Sequence, residues 1–279
     1  MQFEEFIQFA LDEDIREGDH STLACIPADA RGRAVLKVKE AGILAGVDVA
    51  VRIFHYIEPD VQLKLFCTDG QQVNIGDTAF EVEAHVHTLL KAERLVLNTM
   101  QRMSGIASLT KQYVEKIKDF PCRILDTRKT TPNFRWFEKE AVRIGGGHNH
   151  RFGLFDMIML KDNHIDFCGG ITEAIKRTRQ YLDNKHLDLR IEVETRNLEE
   201  VNEVLQCGGV HRIMLDNFTP SDMKVAVQRI ASQFETEASG GITIDSVRKY
   251  AETGVQFISV GAMIHHAVSM DLSLKAIRH

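Results

Sequence analysis

Several short polar runs in the 279-residue chain carry side chains able to do chemistry: Asp126-Thr127-Arg128-Lys129-Thr130, GGGHNHR (145–151), Lys161-Asp162-Asn163-His164, Glu194, Asp216-Asn217 and Ser239-Gly240-Gly241, with Gly261 beyond them. Arg128, Lys129, His150, Arg151 and Lys161 form the cationic part of this set. A guanidinium presents a planar fork to a carboxylate or phosphate, and an ammonium presents a point charge. With 40 acidic and 34 basic residues the chain carries a net charge of −6, so a local positive cluster would focus anions into one pocket. The residue types therefore describe a polyanion site. Glu194 and Asp216 suit sugar hydroxyls, a hydrated Mg²⁺ or a developing cation, and the plainer alternative is that they neutralise the cations. Ser239, Gly240, Gly241 and Gly261 have the composition of a phosphate cup built from backbone N–H groups. Any one of these residues alone is an ordinary cap or turn residue.

What gives the runs weight is the elements that must carry them. After Pro121, short apolar stretches alternate with amphipathic ones: CRILD (122–126), DMIML (156–160), LRIEVE (189–194), HRIMLD (211–216), ETEAS (235–239) and QFISVG (256–261). Strand followed by helix, repeated, predicts a parallel sheet. The last four strand ends are spaced by 22, 23 and 22 residues, counting Glu194 to Asp216, to Ser239 and to Gly261. That regularity predicts a β/α barrel, in which the carboxyl ends of the strands form the active face. The polar runs sit at those ends. Only six strands are readable, which predicts an incomplete barrel. Upstream, RAVLKVK (33–39), VQLKLF (61–66) and TAFEVEAHV (78–86) alternate apolar and polar residues, as half-buried antiparallel strands do. From about Thr88 to Lys118 the period becomes helical, interrupted at Ser104-Gly105, which predicts one broken helix or two with Met100 and Met103 in the core. The division expected is residues 1–110 as an α/β sandwich and 111–279 as the barrel, with the C-terminal tail free to return to the first.

Other function classes are disfavoured. An acidic balance argues against a long nucleic-acid footprint. No stretch approaches the roughly 20 apolar residues of a membrane span, and the acidic, amphipathic N-terminal segment resembles neither a signal nor a transit peptide, so the expected location is cytoplasmic. Five cysteines without a C-x-x-C pair predict reduced core residues. The histidine pairs His85/His87, His148/His150 and His265/His266 lack H-E-x-x-H spacing, which argues against a dedicated transition-metal site and leaves His150 as a donor to an anion. Gly145-Gly146-Gly147 does not follow a strand as G-x-G-x-x-G does, so a dinucleotide fold is unsupported.

The order of segments AERLVLNTMQRMSGIAS (92–108), DTRKTTP (126–132), EKEAVRIGGGHNHRFGL (138–154), KDNH (161–164), EVE (192–194), IMLDN (213–217), EASGGI (237–242) and ISVGAMIH (258–265) resembles quinolinate phosphoribosyltransferase over nearly the whole chain. The resemblance implies an N-terminal open α/β sandwich followed by an incomplete, about seven-stranded β/α barrel, assembled as a dimer or a multiple of dimers with shared active sites. It implies transfer of the phosphoribosyl group of phosphoribosyl pyrophosphate to quinolinate with decarboxylation, giving nicotinate mononucleotide, pyrophosphate and CO₂ in NAD biosynthesis, with Mg²⁺ held mainly through substrate. By motif, Arg94, Arg128, Lys129, Thr130, His150, Arg151 and Lys161 fall on anion-binding positions. Glu194 and Asp216 fall on the ribose and magnesium side, and Ser239, Gly240, Gly241 and Gly261 on the phosphate cup. Lys129, Lys161, Glu194 and Asp216 are the implied catalytic set. Asn133 and Glu140 stand where Gly and Tyr are common in the family, and Met263-Ile264 where Leu-Thr is usual. A phosphoribosyltransferase for nicotinate or another pyridine base, and a barrel that only binds phosphorylated metabolites, are the competing readings.

Overall fold

The computed structural model describes residues 3–277. Contacts divide the chain into two compact units: Met1–Lys111, Thr130–Gly146 and His266–His279 form one, and Gln112–Lys129 with Gly147–His265 the other.

The first unit begins with α1 (Phe3–Ile15) and α2 (His20–Cys25), followed by β1 (Arg31–Val38), β2 (Gly42–Ile43), α3 (Val47–Ile57), β3 (Gln62–Leu65), β4 (Gln72–Val73), β5 (Thr78–His85) and α4 (Val86–Ile117), the last residues of which belong to the second unit. Alternation makes the sheet. In β1, Ala34, Leu36 and Val38 are buried, and in β5 Phe80, Val82 and Ala84 are, with Leu36 opposite Phe80 and Ala34 opposite Val82. Val47, Ala50, Ile53 and Phe54 form the apolar face of α3, and the Phe54 ring meets that of Phe80 edge-on at 6.2 Å.

The second unit carries β6 (Arg123–Leu125), which leads into α5 (Arg135–Ile144) of the first unit. It continues with β7 (Ile158–Leu160), α6 (Asp162–Cys168), α7 (Ile171–Lys185), β8 (Ile191–Thr195), α8 (Leu198–Cys207), β9 (Arg212–Asp216), α9 (Pro220–Ile230), β10 (Glu235–Ser239), α10 (Val247–Ala251), β11 (Phe257–Ser259) and α11 (Ala262–His265). These strands form one parallel sheet in the order β6-β11-β10-β9-β8-β7, matching the open barrel expected. Local chemistry starts the crossover helices: the Asn197 side chain accepts the Glu200 N–H, and Thr219 accepts that of Asp222 ahead of Pro220 in the first turn. Finally β12 (Leu272–Ala276) pairs antiparallel with β1, completing the first unit's four-stranded sheet, β12-β1-β5-β3.

Four expectations need correcting. The seventh strand is absent among the described residues. In its place the glycine-rich segment adds one parallel bridge, Leu125 to His148, because Gly145, Gly146 and Gly147 supply no side chains to anchor a longer ladder. The helix α4 runs unbroken through Ser104-Gly105. Both residues serve packing there: Ser104 Oγ bonds the N–H and C=O of Ala45, and a Cβ on Gly105 would lie 2.0 Å from the Val268 carbonyl oxygen. Residues Thr130–Gly146 join the first unit rather than the barrel. There Phe134 and Phe137 stack at 4.6 Å, Phe137 meets Phe6 of α1 at 4.4 Å, and Gly145 lies against the backbone of Ala107. Of the cysteines only Cys67 and Cys122 are buried; Cys25 is exposed and Cys168 and Cys207 are half-buried. Met100 and Met103 are fully buried. No helix among the described residues is long and apolar enough to cross a membrane.

Candidate active site

The strand ends of the second unit bring most of the singled-out residues together. Lys161 caps the N-terminus of α6 and places its Nζ 3.6 Å from the Glu194 carboxylate at the end of β8. His164 is a local device: its Nδ1 accepts the Lys161 N–H at 3.0 Å. Burial pushes the Glu194 carboxyl above its ordinary value, with Lys161 opposing and Asp216 reinforcing the shift. At the end of β9 the Asn217 side chain donates to Asp216 at 2.6 Å, and the Asn217 N–H donates to the Ser239 carbonyl at 2.9 Å, tying β9 to β10. Gly240 follows with φ of 97°, and a Cβ there would strike the Asn217 side chain at 2.2 Å, so the turn requires glycine. A Cβ on Gly261 would lie 2.9 Å from Cδ of Lys129, which places the Lys129 stem beside that glycine. Gly241 faces open space.

Arg128 and Arg151 lie close enough for their charges to interact. Arg151 is half-buried; burial lowers its proton affinity and the positive charge of Arg128 lowers it further. Two neighbouring guanidiniums in partly buried positions are relieved by an anion bound beside them. Arg94 and Thr130 belong to the first unit: Arg94 is exposed on α4 with Glu93 at 3.5 Å, and Thr130 Oγ1 accepts Arg135 Nε at 2.9 Å. The adjoining Thr131 gives both its N–H and its hydroxyl to the fully buried Glu138, which also receives the Arg102 guanidinium at 2.8 Å.

Beneath the strand ends, β8, β9 and β10 line one face with charge. Glu192 and Glu194, Arg212 and Asp216, and Glu235, Glu237 and Ser239 alternate with apolar or small residues, as a period of two demands. His150 reaches this layer with a side chain only 5% exposed. Its Nε2 lies 2.9 Å from Glu192 and 3.4 Å from Glu237, both fully buried, while its Nδ1 accepts the Arg151 N–H at 2.6 Å. The anion that His150 serves here is thus the protein's own carboxylate pair. In this arrangement the ring proton sits on Nε2. Burial opposes a second proton, but the hydrogen bonds to Glu192 and Glu237 outweigh it and push His150 up to about 9; taking that proton requires Nδ1 to release the Arg151 N–H. Burial and the neighbouring Glu237 raise Glu192 to about 7, and Arg212 completes the network at 2.7 Å from Glu237. His150, Glu192 and Glu237 hold their ligand atoms within 4.8 Å, the spacing of a metal site. His150 Nε2 faces Oε2 of both glutamates and Arg212 holds the same oxygen of Glu237, an ion network in which Oε1 of Glu192 and of Glu237 stay buried without a hydrogen-bond partner.

The residue-level pattern has counterparts. A family model described as the quinolinate phosphoribosyl transferase C-terminal domain matches residues 106–275, and its N-terminal domain matches residues 19–104. The chain belongs to the quinolinate phosphoribosyltransferase family. Among family relatives, nicotinate-nucleotide pyrophosphorylase [carboxylating], chloroplastic, of Arabidopsis thaliana is 45% identical over 96% of this chain and 81% of its own length. A probable nicotinate-nucleotide pyrophosphorylase of Synechocystis is 42% identical over 98% of this chain and 92% of its own. The crystal structure of NadC from Streptococcus pyogenes superposes with a TM-score of 0.92 at 38% identity, covering 99% of this chain and 98% of that one.

The departures from the family pattern have local explanations. Asn133 adopts φ of 62°, a left-handed conformation natural to glycine and tolerated by Asn. Glu140 accepts a hydrogen bond from Arg143 Nε at 2.9 Å one helical turn on, and Met263 and Ile264 are buried in the core. Three network residues escaped sequence reasoning in any role of their own: Glu192, Arg212 and Glu237. Their signal was present, as charges on the alternating face of strands that a barrel normally fills with Val, Ile and Leu, interrupted only at Met214 and Ser239.

Proposed function

We infer that this chain transfers the phosphoribosyl group of phosphoribosyl pyrophosphate to quinolinate with decarboxylation, releasing nicotinate mononucleotide, pyrophosphate and CO₂ in NAD biosynthesis. The observation that carries the reading at residue level is the set of cations at the strand ends, with Lys161 3.6 Å from Glu194, Lys129 beside Gly261, and the partly buried Arg128 and Arg151. Quinolinate brings two adjacent carboxylates, and the donor brings phosphate at both ends, which matches a cluster of Arg128, Lys129, Arg151 and Lys161. His150 supports Arg151 from below. Arg94 and Thr130 are assigned to the same anions, and Ser239, Gly240, Gly241 and Gly261 to the donor's phosphate.

The ring nitrogen attacks C1′ of the ribose as the bond to pyrophosphate breaks, and the sugar passes through an oxocarbenium-like state. Glu194 and Asp216 stabilise that positive charge, while Lys129 and Lys161 take up charge on the departing pyrophosphate. The nitrogen, now cationic, accepts the electron density left when the C2 carboxylate departs as CO₂, and C2 takes up a proton. The protein positions and neutralises. Mg²⁺ fits the same face: Glu194 and Asp216 are oxygen donors whose mutual repulsion a cation relieves, and when bound the ion would draw charge from the diphosphate, with substrate supplying most of its ligands.

The reading extends to a cytoplasmic homo-oligomer, a dimer or a multiple of dimers, in which Arg94 enters the partner's pocket. Its supports are the exposure of Arg94 on α4 and the anions of the reaction, which require more cations than one phosphate does. Purified protein with quinolinate, phosphoribosyl pyrophosphate and Mg²⁺ should form nicotinate mononucleotide and one CO₂ per turnover. Product from nicotinate in place of quinolinate, without CO₂, would assign the chain to the other pyridine base.

A further inference from the structure

A β/α barrel interior of apolar side chains is cheaper to fold than one holding two fully buried carboxylates. Glu192 and Glu237 are nonetheless there, fully buried, one step below the strand ends, and both turn an oxygen to the same atom, Nε2 of His150. The contacts run on in both directions. Below, Arg212 holds Glu237 at 2.7 Å and Glu235 at 3.0 Å, and Arg190 holds Glu235 at 2.6 Å. Above, Nδ1 of the same imidazole accepts the Arg151 N–H, while the Arg151 guanidinium donates to the Met157 carbonyl at 3.2 Å. The His150 backbone is fixed separately, its N–H donating to the buried Asp126 at 2.8 Å. While the ring is neutral, backbone and both ring nitrogens are engaged, so the imidazole has one orientation and places the backbone N–H of Arg151; a second proton on Nδ1 would release that contact.

We propose that Glu192 and Glu237 are positioning residues which, acting through the His150 imidazole, fix Arg151 in the direction from which it receives a carboxylate of the pyridine substrate. The claim rests on the reading that Arg151 binds that carboxylate. On that reading the donor's phosphates are taken by other residues, so loss of the network should be felt by one substrate only.

The test is steady-state kinetics on Glu192→Leu and Glu237→Leu, with quinolinate and phosphoribosyl pyrophosphate varied in turn. Loss of the acceptor should raise KM for quinolinate about tenfold, the order expected when a charge-assisted hydrogen bond is lost. KM for phosphoribosyl pyrophosphate and kcat should stay within about twofold, since the transition-state contacts are untouched. Glu192→Gln keeps an oxygen for Nε2–H and should recover most of the quinolinate affinity. Should a leucine variant fail to fold, Glu192→Asp, which withdraws the carboxylate from the ring by one methylene, reads the same split. A purely structural role predicts equal loss for both substrates, or lower thermal stability with unchanged constants; either result overturns the proposal. Arg151→Ala separates this failure from failure of the underlying reading: if it leaves KM for quinolinate unchanged the reading is wrong, and if it raises KM while the glutamate variants do not, only the positioning claim falls.

Discussion

The proposed function gives Arg151 and Asp216 different work, substrate binding and charge stabilisation, so they should fail differently. Removing the Arg151 guanidinium deprives one carboxylate of a charge-assisted fork, typically ~1.5–3 kcal/mol. Arg151→Ala should therefore raise KM for quinolinate roughly tenfold or more and leave the donor's KM nearly unchanged, as initial-rate measurements with each substrate varied would show. Asp216 lies at the end of β9, and the proposed mechanism sets it against charge that develops only as pyrophosphate leaves. Asp216→Asn should lower kcat by about 10²-fold or more with KM values little changed. Normal turnover with weaker binding would make Asp216 a positioning group instead. At this scale the sequence was informative about type and silent about partners: that His150 is charged or polar is written in the chain, but that it faces Glu192 and Glu237, 42 and 87 positions away, is not.

Individual elements carry two further consequences. The helix α4 passes the chain around Val268 at Gly105, where an added Cβ would meet a carbonyl oxygen at 2.0 Å. Backbone cannot yield as a flexible side chain does, so Gly105→Ala should destabilise by ~1–3 kcal/mol despite alanine's better helix propensity. Calorimetry should show Tm falling by roughly 2–4 °C for each kcal/mol. The second consequence concerns strands β8 and β10, which hold His150 from below. A histidine raised from an ordinary 6.5 to about 9 in the folded state contributes stability that is complete below pH 6.5 and lost as pH rises through 9. Glu192, raised from 4.5 to about 7, acts with the same sign at lower pH, and Glu237, shifted downward, has no further effect above neutrality. The urea midpoint should therefore fall between pH 6.5 and 9, and His150→Gln should flatten that slope. A midpoint that is level in the native protein would show that His150 stays neutral.

At the scale of the whole molecule, the proposed assembly makes a quantitative demand. If Arg94 serves the partner's pocket, mixing the inactive variants Arg94→Ala and Lys161→Ala gives mixed dimers in which one pocket bears both lesions and the other bears none. Random exchange makes about half the dimers mixed, each with one good site of two, so activity should return to about a quarter of the native value. Co-refolding the two variants, with each refolded alone as control, measures this. No recovery despite confirmed subunit exchange would place Arg94 in its own chain's site.

The strand ends of the barrel were legible because they obey a local rule: an apolar run of about five residues, a polar punctuation and an amphipathic helix, repeated every 22 or 23 residues. Glu194, Asp216, Ser239 and Gly261 fall on that rhythm, while the cations were read from the polar runs after the earlier strands. The length of the long helix through Ser104-Gly105, the placement of α5 with the first unit and the reduction of a seventh strand to one bridge at His148 were decided by packing between segments distant in sequence. The same holds for the buried network. Alternation announces that Glu192, Arg212 and Glu237 share a face with Glu194, Asp216 and Ser239, but which of them meet, and that one histidine closes the circuit, depends on strand order and register. Periodicity is a property of one strand; an ion network is a property of three strands and a loop, and only the folded sheet brings them within hydrogen-bond reach.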